Sequence, residues 1–133
     1  MMGLTEDEIK ALITVKTERA HETVNEVPVH IQNGFYRTAA NRLYYACYYM
    51  VSALLLKNGF ETQTHKGIIT IFSLHFIKTG IISQQEGKLF RDLFEFRQAG
   101  DYDELKDVSK EDVESRLEPA RQFISTIEKL ITM

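Results

Sequence analysis

The sequence predicts an all-α fold of four or five antiparallel helices. Three observations point there. The stretch from Phe35 to Asn58 is apolar or aromatic around almost its whole helical circumference, with an uncharged run from Leu43 to Leu56. Elsewhere apolar residues recur at three-, four- and seven-residue spacing between capping residues and short glycine turns. No segment shows two-residue alternation flanked on both sides by turn chemistry, as a strand would.

The central stretch organises the rest. Ala39, Leu43, Ala46, Cys47, Met50, Val51, Leu54 and Leu55 form a buried face, and the stretch carries five of the six tyrosines. At about 1.5 Å per residue this helix spans roughly 36 Å, the height of a small bundle. Before it, Thr5 with Glu8 makes a capping box, and Ile9, Leu12, Ile13, Ala20, Val24 and Val27 line one face. Pro28 interrupts that pattern. The spacing resumes at Ile31, so a kinked helix is expected to about Gln32, with Asn33-Gly34 as the turn. Asn58-Gly59 closes the central helix. Thr64 caps a third helix through Ile68, Ile69, Ile71, Phe72, Leu74, Phe76 and Ile77, ending at Gly80. Ser83 with Glu86 opens a fourth through Leu89, Phe90, Leu93, Phe94 and Phe96, which Gly100 should end before an acidic loop at Asp101-Tyr102-Asp103. Ser109 with Asp112 starts the last helix, whose seam is Val113, Leu117, Ala120, Ile124, Ile127 and Ile131, kinked at Pro119.

The totals bound the function. At 133 residues, with 44% hydrophobic and 26% charged residues, the chain is read as one domain with a real core. A net charge of −3 gives no global basic field for nucleic acid, though a local patch remains compatible with it. The uncharged run is too short and too closely flanked by Arg42 and Lys57 for a membrane span. The first ten residues are acidic and lack an apolar h-region. A cytoplasmic protein without membrane contact is expected. The single cysteine, Cys47, excludes an internal disulfide framework and reads as a small core residue. No HExxH, CxxC pair, glycine-rich phosphate loop or GxSxG is present, so neither a metal nor a cofactor is expected.

Three polar groups border apolar runs. The first is Asn41-Arg42 with Tyr45 and Tyr49, of which Arg42, Tyr45 and Tyr49 fall on one helical stripe, an amphipathic edge or a stacking surface. Thr64-His65-Lys66 stands at a helix N-terminus, an ordinary cap or an anion site. Arg97 precedes Asp101 by four residues and Tyr102 by five. That spacing suits a helix-end ion pair, or an arginine, acid and phenol that together read a phosphate or a base.

NRLYYACYYMVSALL, THKGIITIFSLHFIKTGIIS and FRQAGDYD, in that order and spacing, resemble the HEPN-domain family. More narrowly they look like its small stand-alone prokaryotic members with Asn-Arg-x-Tyr-Tyr-Ala and Arg-x3-Asp-Tyr signatures. The resemblance runs from about Arg19 to Leu130. It implies an up-and-down four-helix bundle with an additional helix, a homodimer, and a polar groove at the dimer interface built from the motif after the fourth helix. Many members are metal-independent ribonucleases of toxin–antitoxin and defence systems; others bind nucleotides or accompany a nucleotidyltransferase.

One departure bears on the chemistry. The family's nuclease signature has a histidine separated from the arginine by four to six intervening residues, and from Arg97 those places hold Tyr102, Asp103 and Glu104. Metal-free RNA cleavage needs a group that moves a proton near neutral pH, which histidine does without help. His65 would have to fold back toward Arg97 to replace it. The reading that follows is a nucleotide- or RNA-binding module acting with a partner such as a nucleotidyltransferase, in a toxin–antitoxin-like pair. The alternative is a ribonuclease toxin with an atypical site, so enzyme status stays open and no catalytic residue is assigned. The binding candidates are Arg97, Asp101 and Tyr102, with Arg42, Tyr45, His65 and Lys66 as outer contributors. The dimer is also expected because Phe90, Phe94, Phe96 and the tyrosine stripe offer more aromatic surface than one bundle readily hides.

Overall fold

A computed structural model describes residues 3–62, 64–102 and 107–133, without the side chain of Tyr102. Five α-helices account for the described chain, with no strand: α1 (Glu6–Gln32), α2 (Tyr36–Lys57), α3 (His65–Phe72), α4 (Gln84–Tyr102) and α5 (Lys110–Ile131). They form an up-and-down helical bundle with α3 as the short additional helix. α2 packs against each of the other four and is the axis of the core.

The local signals act where the sequence places them. Thr5 accepts from the Glu8 N–H while the Glu8 carboxylate accepts from the Thr5 N–H, so two orphan donors at the start of α1 are satisfied. Ser109 and Asp112 do the same for α5. Gly34 and Gly59 take the left-handed conformation, at φ 79° and 81°. The following N–H, of Phe35 or Phe60, then reaches back five residues to His30 or Leu55. The chain thereby reverses within three residues and lays α2 against α1. Pro28 and Pro119 sit inside α1 and α5, which run on past them to Gln32 and Ile131.

Two boundaries differ from expectation. The third helix is not α-helical to Gly80: from Ser73 to Ile77 it widens into a π-helical turn, closed by the Lys78 N–H donating to the Ser73 carbonyl. The fourth does not stop at Gly100 but continues to Tyr102. Gly100 is buried, and a Cβ there would meet Val108 at 3.4 Å. Its carbonyl accepts from the Arg37 guanidinium of α2. The glycine admits a close approach instead of a turn, and Asp101 and Tyr102 are the last described residues of the helix. Asp103 lies outside the described residues.

The core is continuous from Ala20 to Ile127. Leu43, Ala46, Cys47, Met50, Val51 and Leu54 of α2 are sealed, as the spacing required. An aromatic stack fills the side facing α4: Tyr44 lies on Phe90 (ring centroids 5.7 Å apart, 17° between planes), Phe90 on Phe123 (5.6 Å, 16°), and Phe72 meets both phenylalanines edge-on. Phe96 is covered by the Arg116 guanidinium at 4.0 Å, while Arg116 also holds Asp92 at 2.9 Å, tying α5 to α4. One chain therefore hides Phe90 and Phe96 by itself, and only Phe94 and the tyrosines remain of the aromatic surface expected to need a second subunit. No described helix is long and apolar enough to cross a membrane.

Candidate functional site

The site grows out of the tyrosine-rich half of α2. Two consecutive pairs one turn apart, Tyr44-Tyr45 and Tyr48-Tyr49, put four rings on neighbouring faces. Tyr44 is fully buried in the stack with Phe90, whereas Tyr45, Tyr48 and Tyr49 are half-buried. Adjacent centroids lie 5.2–6.1 Å apart. Three arginines from three helices cover this surface. Arg42 of α2 sits 5.4 Å over Tyr45, and Arg19 of α1 sits 5.5 Å over Tyr49. Arg97 of α4 is wedged among Tyr44 (5.2 Å), Phe94 (5.4 Å) and Tyr45 (5.6 Å). The negative faces of the rings hold these cations against apolar surface.

Arg97 is almost wholly buried, and its Nη1 stands 3.5 Å from Asp101 Oδ2, the i, i+4 pair that the spacing allowed. That oxygen also accepts from Asn41 Nδ2 at 3.2 Å. Asn41 in turn accepts from Arg42 through Nη2 at 2.6 Å and Nε at 3.0 Å. A relay of side chains thus runs from Arg42 through Asn41 and Asp101 to Arg97, joining the start of α2 to the end of α4.

His65, first residue of α3, lies on the same rings. Its Nδ1 is 2.8 Å from the Tyr44 hydroxyl, and its ring is 4.6 Å from Tyr48, 5.6 Å from Tyr45 and 6.4 Å from Phe94. Burial, with the positive charge of Arg97 adding to it, lowers the His65 pKa below the ordinary histidine value. Burial first, and the neighbouring Tyr48 next, pushes the Tyr44 phenol above the usual tyrosine range, with Arg97 opposing. The phenol stays protonated at any physiological pH and can donate to His65.

Of the residues the sequence singled out, Arg97, Asp101, Arg42, Tyr45 and His65 are brought together. Lys66 is exposed at the start of α3, and no contact among the described residues ties it to the cluster. Tyr102 ends α4, and its side chain lies outside the described residues. Asn41, Tyr44, Tyr48 and Arg19 join the cluster without having been chosen. The first three stand within the tyrosine-rich motif; nothing local marks Arg19, which is brought in by the packing of α1 on α2. No group of three or more potential metal ligands occurs among the described residues.

The sequence profile of the HEPN domain matches residues 15–130. The chain belongs to the HEPN-domain family. A UPF0332 protein of Thermotoga maritima is 37% identical over 125 residues, covering 94% of this HEPN chain and 95% of the relative. Two Methanocaldococcus jannaschii proteins whose names designate them candidate toxins are also similar. One is 30% identical across 98% of this chain and 97% of its own; the other is 28% identical across 86% and 78%. The match takes in every helix that contributes to the tyrosine face.

Proposed function

We propose that this HEPN domain is an RNA- or nucleotide-binding module that works as a homodimer with a partner such as a nucleotidyltransferase, in a toxin–antitoxin-like pair. One observation carries the binding reading: Arg42, Arg97 and His65, from three helices, converge on a face of half-buried tyrosine rings. Guanidiniums match phosphate oxygens, and open aromatic faces stack bases with little regard to sequence, the combination by which single strands are held. Asn41 and the Tyr44–His65 pair add polar groups for base or ribose edges. The toxin names of two relatives support the two-component setting. The narrower kinship, to small stand-alone prokaryotic members, rests on the signatures around Asn41-Arg42 and Arg97.

The experiment is a titration of wild type, Arg42→Ala and Arg97→Lys with short single-stranded RNAs and adenine nucleotides, beside light scattering. Arg42 is half-buried on the rim, so its removal should weaken binding while leaving the fold intact. Arg97→Lys keeps the charge but loses the planar fork and should retain only part of the affinity. Scattering should give twice the chain mass of 15.4 kDa. Unchanged affinity in both variants removes the binding reading, and a monomer at tens of micromolar removes the dimer.

A second reading is favoured by His65. An imidazole held by Tyr44 and kept neutral at pH 7 could take the proton of a ribose 2′-hydroxyl, beside an arginine suited to the charge that develops on phosphate. Metal-independent RNA cleavage by the purified protein, abolished by His65→Asn and by Arg97→Lys, would select it over binding alone.

A further inference from the structure

A groove of about 590 Å³ runs between α3 with its π-helical continuation and the first half of α4, away from the tyrosine face. Its apolar surface comes from Ile69, Leu74 and Ile77, and Leu74 is half exposed with nothing over it. Lys78, Lys88 and Arg91 stand along it, and no acid lines it. None of the three cations takes part in an ion pair among the described residues. Of the α4 acids, Asp92 pairs with Arg116 and Glu86 accepts from Ser83, while Glu95 stands one turn beyond Arg91 and outside the groove lining. On a chain of net charge −3, the groove lining itself is a local reversal of sign.

We propose that this groove docks about two turns of an acidic amphipathic helix from a partner protein. The walls set the size: Ile69 to Ile77 and Lys88's neighbours on α4 span roughly 10–12 Å, about eight helical residues. The apolar strip asks for leucine-like side chains at i, i+3/i+4 and i+7, and the cations ask for carboxylates beside them. RNA would satisfy the cations but leave the apolar strip wet. Among the described residues, neither the acidic stretch of α5 nor the middle of α1 offers such a helix on a second copy. The acidic stretch of α5 turns its apolar face, with Val113, Phe123 and Ile127, into its own core. The row Glu18, Glu22 and Glu26 on α1 has exposed large apolar residues only at its ends, Val15 and Val29. The proposal is independent of the RNA-binding reading, because the two surfaces share no residue.

The test uses two labelled helical peptides of about 14 residues with a leucine ridge, one flanked by glutamates and one by lysines, read by fluorescence anisotropy. Wild type should bind the acidic peptide at least tenfold more tightly than the basic one. Leu74→Asp should weaken acidic-peptide binding about tenfold. Lys88→Glu with Arg91→Glu should invert the preference, and all of these exposed positions should keep the wild-type melt. Equal binding of both peptides, binding of neither, or no inversion in the charge-reversed variant overturns the proposal. So does loss of short-RNA binding or of scattering mass in these variants, which would reassign the groove to nucleic acid or to a second copy.

Discussion

Replacing Arg97 by alanine tests whether the tyrosine face is built as described. The guanidinium is nearly fully buried against Tyr44, Tyr45 and Phe94 and pairs with Asp101. Cation–π contacts out of water are worth about 1–2 kcal/mol together, and an i, i+4 pair with a part-exposed acid about 0.3–0.5 kcal/mol. Asp101 keeps its bond from Asn41, so no carboxylate is stranded. The loss should come to about 2 kcal/mol. For a chain of this size that lowers the melting temperature by roughly 6–8 °C. Far-UV circular dichroism melts of wild type, Arg97→Ala and Arg97→Lys read it, and lysine should recover part, through charge and stem packing. A melt of Arg97→Ala within about 1 °C of wild type would refute the reasoning, because a buried, ring-contacted arginine cannot be deleted for nothing. RNA titrations of the variant belong well below its melting point, where stability and affinity separate.

Other expectations follow from the same geometry. His65 has a folded pKa below its unfolded value near 6.5, so the unfolded chain binds more protons once the pH falls past that value. Its contribution is complete above about pH 6.5 and is lost as the pH falls through the folded pKa; wild type should lose melting temperature faster than His65→Asn between about pH 7 and 5, and parallel curves would contradict this. Cys47 is sealed in the core and burial raises its thiol pKa, so a disulfide-exchange reagent should label it only after denaturation; fast labelling of the native chain would show that α2 is not closed. Leu54→Asp puts an unpaired carboxylate at a site 1% exposed, a cost of several kcal/mol against a total of about 5–15, and should abolish the cooperative melt; a wild-type transition would refute its burial.

Helix identity was legible in the sequence because it is local. Thr5, Ser109, Gly34 and Gly59 act on backbone groups within five residues, and their signals need no tertiary information. Gly100 shows where this fails. Its neighbours read as a helix stop, but the decisive partners are Val108 and Arg37, the second 63 positions away. The π-helical turn was invisible for a related reason: an apolar run fits either helix, and packing chooses between them. At the candidate site the charges stood out, since Arg97 and Asp101 announce themselves at four-residue spacing. Asn41 stood out only as the neighbour of Arg42; its bond to Asp101 comes from the register that sets the first turns of α2 beside the C-terminal part of α4. Tyr44 was not among the expected core positions, yet it is buried, and its hydroxyl, 2.8 Å from a histidine 21 positions on, gives it a second role.

The wide turn at Ser73–Ile77 has a consequence for changes of chain length. A π turn is an α turn holding one surplus residue. Deleting a single residue there would leave an unbroken α-helix, with all backbone bonds remade and the chain after it close to its present phase and height. The same deletion in the middle of α2 would break the phase of the whole core. This segment is thus the described stretch of helix where a lost codon is absorbed within one turn and the later side chains keep their directions.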